Sequence, residues 1–203
     1  MKKLVLVALT AFLTVFLVSS VLAADVAYIV KSQADPFLTS EISNHGLTYD
    51  VIRESNLTSV NFSKYRMLLV GNDNFDDFTK IPAEKYNSLI ISEYNSQWGF
   101  SLRRGLVTSP TSIRFNTLNT TLSDGVQEIF KAYFLHDINV NTYYLSGKKA
   151  TGIKLIAHID GRISSDAVVA LAYPGTKYLD GRTGEKRSLF FGIVTPKYWT
   201  VDS

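Results

Sequence analysis

The feature that most constrains this chain is a series of short apolar runs in its first half. Three of these runs are found in "VAYIV" (26–30), "RMLLVGN" (66–72) and "NSLIIS" (87–92). A fourth segment, "TYDVI" (48–52), is only half apolar and lies between the first and second runs. A short apolar run between polar flanks is typical of a strand that is buried on both faces. We therefore expect a sheet whose two faces are both covered.

A helix is predicted between the first two strands. Asp35 can accept hydrogen bonds from the first helical amides, and Pro36 suits the first helical position. Leu38 and Ile42 then form an apolar stripe, and Gly46 can end the helix in the left-handed conformation. The order strand, helix, strand, connection, strand favours parallel pairing with right-handed crossovers.

The second half of the chain has a stronger strand pattern. After residues 93–115, which show no helical period, we predict a short helix near 123–134 and then four strands. Those strands are "NVNTYYL" (139–145), "GIKLIAHI" (152–159), "DAVVALAY" (166–173) and "SLFFGIV" (188–194). The interpretation is one α/β domain over residues 24–203, with a mainly parallel sheet and a β-rich C-terminal half. Because only nine residues follow the last strand, a C-terminal truncation is also considered.

The N-terminal segment has the layout of a secretory signal peptide. Lys2 and Lys3 precede an apolar run over residues 4–18, and small residues lead to a cleavage site after Ala23. The alternative is an uncleaved membrane anchor, since residues 4–24 are just long enough to cross a bilayer. Under either interpretation the remaining chain is expected to be extracytoplasmic: secreted, periplasmic or at the cell surface.

Composition excludes several classes of function. The chain has no cysteine, which rules out disulfides, thiolate nucleophiles and thiolate metal sites. Removing residues 1–23 takes away two of the 21 basic residues and none of the 18 acidic ones, so the net charge falls from +3 to +1 and argues against a nucleic-acid partner. No dinucleotide or phosphate-loop motif occurs, and no two histidines have the spacing of metal ligands, so no cofactor or metal is expected.

Six segments carry a resemblance to a known family. They are "VAYIV" with its helix, "TYDVI", "NLTSVNFSKYRMLLVGND", "TLSDGV", "AVVALAY" and "RSLFFGIV", and the resemblance covers roughly residues 25–195. Their order and hydrophobic pattern resemble the class I glutamine amidotransferase-like superfamily. The resemblance implies a flavodoxin-like three-layer α/β sandwich.

The same resemblance implies a member without catalytic residues. The family's active enzymes place a cysteine on the turn after the fourth strand, which corresponds here to Ser92–Tyr94. The family's His-Glu phrase corresponds to "FFGIVTPKY" (190–198), which contains neither residue. Ser92 also lacks the flanking glycines of a nucleophile elbow, so a serine hydrolase is not favoured.

The predicted ligand site lies where the parallel strands end. Ligands of open α/β sheets bind beyond the carboxyl ends of the strands. Polar side chains next to an aromatic ring would suit a sugar or another polyol, although strand ends are also polar simply because loops are exposed. The candidate ligand-binding residues are Lys31, Gln33, Asn72, Asp73, Glu93, Asn95 and Trp98.

The acidic run "DNFDD" (73–77) offers the carboxylate oxygens that calcium binds. It lacks the glycine and the twelfth-position glutamate of a calcium-binding loop, so an exposed polar loop is the simpler interpretation. Asn56, Asn61 and Asn119 each begin an N-glycosylation acceptor pattern.

These observations lead to three functional hypotheses, one of which is a solute-binding role in the crevice at the strand ends. The first is a non-catalytic exported binding or interaction domain of the cell envelope or surface, with a protein or carbohydrate partner and membrane contact only through an uncleaved N-terminal segment. The alternative is an extracytoplasmic carbohydrate-active hydrolase that uses carboxylates such as Asp73 and Glu93, whose carboxyl groups would then lie about 5–9.5 Å apart.

Overall fold

The computed structural model describes residues 24–110, 112–116, 128–130 and 141–196. The proposed signal segment, its cleavage site at Ala23 and the acceptor Asn119 lie outside these ranges. None of the helices within them has both the length and the apolar character that a membrane crossing requires.

The described residues form eleven strands and one α-helix. The helix is α1, Pro36–Asn44, and three 3-10 helices span Glu54–Ser59, Phe62–Lys64 and Phe78–Lys80. The strands are β1 (Val26–Val30), β2 (Tyr49–Arg53), β3 (Met67–Val70), β4 (Ser88–Ile91), β5 (Ser101–Thr108), β6 (Ser112–Phe115), β7 (Glu128–Phe130), β8 (Asn141–Lys149), β9 (Lys154–Ile159), β10 (Ala167–Ala172) and β11 (Ser188–Phe191).

Nine of these strands form one mixed sheet. Their order is β2-β1-β3-β4-β11-β10-β9-β6-β7, and β5 pairs with β8 in a separate antiparallel ribbon. The strands from β2 to β11 pair in parallel, and the pairings from β11 to β7 are antiparallel. The carboxyl ends of β1, β3, β4 and β11 therefore lie along one edge of the sheet.

The predicted flavodoxin-like sandwich with a mainly parallel sheet is wrong. Four pairings of the large sheet are parallel and four are antiparallel, and α1 is the one α-helix of the described residues. The physical reason lies in the connections. Residues 71–87 are rich in Asp and Asn and form one 3-10 helix, and a turn over residues 95–99 leads from β4 directly into β5.

Helix α1 forms as the sequence predicts. The Oδ1 atom of Asp35 accepts hydrogen bonds from the amides of Phe37 (2.8 Å) and Leu38 (3.3 Å). The buried side chains of Leu38 and Ile42 pack with Tyr28 and Leu69 on one face of the parallel strands. The helix ends before Gly46, which has a φ of +69°.

The opposite face of the parallel strands is covered by the 3-10 helices and by loops. Its core includes Phe75, Trp98, Phe100 and Phe190, with the Phe100 and Phe190 rings 5.7 Å apart. Arg182, in the loop before β11, forms salt bridges with Glu84 and Asp180 and donates to the Gln97 carbonyl. This single guanidinium therefore holds three loops together over the core.

Candidate functional site

A cleft of about 430 Å³ opens at the carboxyl edge of the parallel strands. It lies between the ends of β1, β3 and β11 and the start of α1. Its apolar wall consists of Ala34, Pro36, Leu38, Ile91, Val194 and Pro196. Its polar lining consists of Tyr28, Gln33, Asp35, Asn72 and Asp73. Because β1 and β3 are adjacent, the residues that follow them meet at this edge.

Tyr28 anchors the floor of the cleft. The residue is 2% exposed, and its hydroxyl oxygen accepts a hydrogen bond from the Asp35 amide over 3.1 Å. Burial raises the pKa of Tyr28 to about 12; the hydrogen bond from the Asp35 amide opposes this rise, and the charges of Asp35 and Asp73 add to it. The hydroxyl therefore keeps its proton at neutral pH. No acceptor for that proton occurs among the described residues, so it can be donated to a ligand or to water.

The two carboxylates of the cleft are each held by backbone amides. Asp35 caps α1 through its Oδ1 atom, and the Oδ2 atom of Asp73 accepts the Lys31 amide over 2.9 Å. The Lys31 ammonium points elsewhere: it donates to the Asn74 carbonyl over 2.8 Å and pairs with Asp76 over 3.0 Å. Lys31 thus positions Asp73 through its main chain, while its charge lies outside the cleft lining.

Asn72 joins the cleft to the turn after β4. Its Oδ1 atom accepts the Glu93 amide over 2.8 Å. Because the partner is a donor, the amide orientation is determined, and the NH2 group of Asn72 remains available as a donor. The side chain is thus fixed on one side and able to bind a ligand on the other.

Glu93 belongs to a neighbouring cluster and does not line the cleft. Its Oε2 atom lies 2.6 Å from an Arg104 guanidinium nitrogen. That guanidinium lies 5.7 Å from the Tyr94 ring and 5.5 Å from the Tyr143 ring. Burial, and then the hydrogen bond to Glu93, raise the pKa of Tyr143. The carboxylate is therefore engaged by Arg104 and tyrosine.

Asn95 and Trp98 are buried in the core. Asn95 is fully buried and donates to the Tyr144 carbonyl over 3.2 Å. Trp98 is 1% exposed, and its ring meets Phe75 edge-on. Its indole nitrogen donates to the Oγ atom of Ser92 over 3.4 Å. Neither side chain offers a surface to the cleft, and Ser92 is fully buried where a nucleophile would need access.

The structure thus divides the predicted ligand-binding residues into three groups. Gln33, Asn72 and Asp73 line the cleft, Lys31 and Glu93 lie beside it, and Asn95 and Trp98 are buried. Sequence reasoning did not select Tyr28 or Asp35. Tyr28 lies in a strand whose other residues are all apolar, and Asp35 is predicted only as a helix cap. A tyrosine hydroxyl on an otherwise apolar buried strand needs a hydrogen-bond partner, and this is the signal that could have identified Tyr28.

The acidic run after β3 does not converge on a common point. Asp76 pairs with Lys31, and Asp77 pairs with Lys80 over 2.7 Å. Within the described ranges, no group of three His, Cys, Asp or Glu side chains is arranged to hold a metal ion.

The described glycosylation acceptors lie on the connection between β2 and β3. Asn56 and Asn61 are both exposed, as modification would require. The Oδ1 atom of Asn61 accepts the Ser63 amide over 3.1 Å and the Ser63 hydroxyl over 2.7 Å. The use of these acceptors stays a prediction.

Comparison of the chain with protein-family models and with curated protein sequences gave no significant match. The glutamine amidotransferase-like resemblance therefore stays a prediction.

Proposed function

We propose that this chain is a non-catalytic binding domain whose ligand is a small hydroxyl-rich molecule, such as a sugar or another polyol. The observation that carries the proposal is the cleft at the ends of β1 and β3, where hydrogen-bond donors and acceptors face an apolar wall. Tyr28 and Asn72 supply donors, Asp35 and Asp73 supply acceptors, and Gln33 supplies both. A sugar presents the same combination of hydroxyl groups and apolar C–H faces.

The size and rigidity of the cleft support this proposal. A volume of about 430 Å³ falls within the range of small-molecule sites. Each of Tyr28, Asp35, Asn72 and Asp73 is already held by a backbone amide. Because these side chains are fixed before binding, a ligand would lose little affinity to their ordering.

A carbohydrate-active hydrolase has less support from the same residues. The Glu93 carboxylate, which that hypothesis needs, is engaged by Arg104 and lies outside the cleft lining. The carboxylate that faces the cleft together with Asp73 is Asp35, whose Oδ1 atom caps α1. Both carboxylates are therefore already used to position the main chain around the cleft.

The place of action is part of the proposal. It rests on the basic, apolar and small-residue pattern of residues 1–23, which is typical of an exported chain. An extracytoplasmic domain of this kind would meet free sugars or the glycans of a cell surface. The binding partner is thus proposed to be a carbohydrate or polyol.

A thermal-shift screen of neutral monosaccharides and polyols tests the proposal. A ligand present at one hundred times its dissociation constant should stabilise the fold by ~2.7 kcal/mol. Gln33→Ala should reduce the shift because it removes a lining amide. Asn44→Ala, at the exposed end of α1, should leave it unchanged. The absence of a shift with every compound would overturn the proposal.

A further inference from the structure

We infer that the ligand of this cleft carries a protonated amino group, so that the site selects an amino sugar over neutral and acidic sugars. The inference rests on the proposed function and specifies its ligand class. It follows from the charges at the cleft, from the unused carboxylate oxygens and from the direction of the nearest lysine.

The described residues that line the cleft include two carboxylates and no basic side chain. The carboxylates belong to Asp35 and Asp73. Lys31 follows β1 directly and is placed to neutralise them, but its ammonium is bound by Asp76 and the Asn74 carbonyl. The lining itself therefore carries net negative charge, which Lys31 offsets only from outside the cleft, and this favours a cation over an anion.

Each carboxylate keeps one oxygen free for a ligand. Asp35 uses Oδ1 for the amides of α1, and Asp73 uses Oδ2 for the Lys31 amide. Among the described residues, the Oδ2 atom of Asp35 and the Oδ1 atom of Asp73 have no hydrogen-bond partner. An ammonium group has three donors and no acceptor, so it matches this pair better than a hydroxyl group does.

Tyr28 lines the same cleft as the two carboxylates, and its hydroxyl lies 3.1 Å from the Asp35 amide. The proton of this hydroxyl is available as a neutral donor. A ligand with an ammonium group for the carboxylates and an oxygen for Tyr28 satisfies all three groups together.

The remaining lining distinguishes an amino sugar from a simple amine. Gln33 and Asn72 present amides suited to hydroxyl groups, and Val194 and Pro196 lie on the apolar wall. An alkyl diamine such as cadaverine would leave these amides without partners, which costs affinity. We therefore expect the sugar ring and the amino group both to contribute.

Titration of the full chain with matched sugars tests the inference. Glucosamine, glucose and glucuronate should be compared by calorimetry or by amide chemical shifts, at a pH at which the amine is protonated. Glucosamine should bind about fivefold more tightly than glucose, the upper range for an accessible ion pair, and glucuronate more weakly than both. Raising the ionic strength from about 0.01 M to about 1 M should remove most of the glucosamine advantage.

Two isosteric variants identify the source of the charge preference. Asparagine is as good a helix cap as aspartate, and it can still accept the Lys31 amide, so Asp35→Asn and Asp73→Asn should both fold. Each should lower the glucosamine affinity about fivefold more than it lowers the glucose affinity. Glu41→Gln removes one exposed charge from α1 outside the cleft lining and should change neither affinity.

Each failure has a distinct meaning. Equal binding of glucosamine and glucose would overturn the inference and leave the proposed function standing, whereas no binding of any sugar would overturn both. A glucosamine advantage that survives in both aspartate variants would overturn the role of the cleft carboxylates. Cadaverine binding as tightly as glucosamine would overturn the assignment to an amino sugar.

Discussion

The amide of Tyr143 donates a hydrogen bond to the carbonyl oxygen of Gly192 over 2.9 Å. This contact holds the β5–β8 ribbon against the end of β11. A β-carbon at Gly192 would lie 1.9 Å from the carbonyl oxygen of Tyr143 and 3.3 Å from that of Val168. The two main chains can approach this closely because residue 192 has no side chain.

Gly192→Ala should therefore destabilise the fold severely, by more than ~3 kcal/mol. Both close atoms at its β-carbon belong to the Tyr143 backbone, so no side-chain rearrangement can relieve the clash. The measurement is the urea unfolding midpoint. Gly161→Ala is the control, since Gly161 has a φ of +80° and no atom within 4 Å of an added β-carbon, and it should cost only about 1–2 kcal/mol. Equal costs for the two substitutions would contradict the close approach.

A double-mutant cycle should reveal the packing of Tyr144 over Gly105. A β-carbon at Gly105 would lie 1.9 Å from the Tyr144 ring, so Gly105→Ala should cost about 1–3 kcal/mol by overpacking. Tyr144→Ala should cost about 3–5 kcal/mol through lost burial. Because the shortened side chain leaves room for the new methyl group, the double variant should be no less stable than Tyr144→Ala alone. Additive losses in chemical denaturation would show that the two sites are independent.

Arg182→Lys should destabilise the protein by about 1–3 kcal/mol. The guanidinium reaches Glu84 over 3.0 Å, Asp180 over 2.6 Å and the Gln97 carbonyl over 3.2 Å, and one ammonium cannot reproduce this planar geometry. Arg66→Lys is the matched control. The Arg66 side chain is 78% exposed and pairs with Asp25, so the change should stay within about 0.5 kcal/mol. Similar losses for both variants in urea denaturation would contradict the proposed linking role of Arg182.

The stability should fall in alkali because of Tyr28. Below pH 10, the ordinary pKa of tyrosine, Tyr28 is protonated in both the folded and the unfolded state. As the pH rises toward 12, the unfolded state loses this proton first, so the free energy of unfolding should decrease by ~1.4 kcal/mol per pH unit.

Tyr28→Phe should remove this contribution, which is measured as a shallower dependence of the free energy of unfolding on pH between 10 and 12. The variant also loses the hydrogen bond from the Asp35 amide, so it should be less stable by about 1 kcal/mol at neutral pH. An unchanged alkaline slope would show that the Tyr28 hydroxyl ionises as an exposed one does.

The elements that the sequence predicts well are those formed by local pattern. β1 coincides with "VAYIV", and α1 begins at Pro36 as its cap requires, because uniform burial and capping leave clear signatures. β5 was missed because its exposed, Ser- and Arg-containing sequence takes its strand conformation from pairing with β8. The helix expected near 123–134 is wrong at residues 128–130, which form β7; its other residues lie outside the described ranges.

The candidate site was only partly predictable for a similar reason. The strand-end rule identified Gln33, Asn72 and Asp73, because parallel neighbours must end at the same edge. The rule wrongly included Trp98, because the turn after β4 directs that ring into the core on the face of the sheet opposite to α1. Side-chain direction at a turn depends on the backbone conformation, which periodicity does not encode.

The pairing of β4 with β11 has a consequence for synthesis. Ser88 and Ser188 are a hundred positions apart in the chain, yet their hydroxyl groups lie 2.9 Å from each other. β4 cannot complete its hydrogen bonds until β11, about a hundred residues later, has left the ribosome, and closing so long a loop slows folding. Until then its open edge is free to join other nascent chains, so a holding chaperone should raise the yield of native protein more than faster translation would.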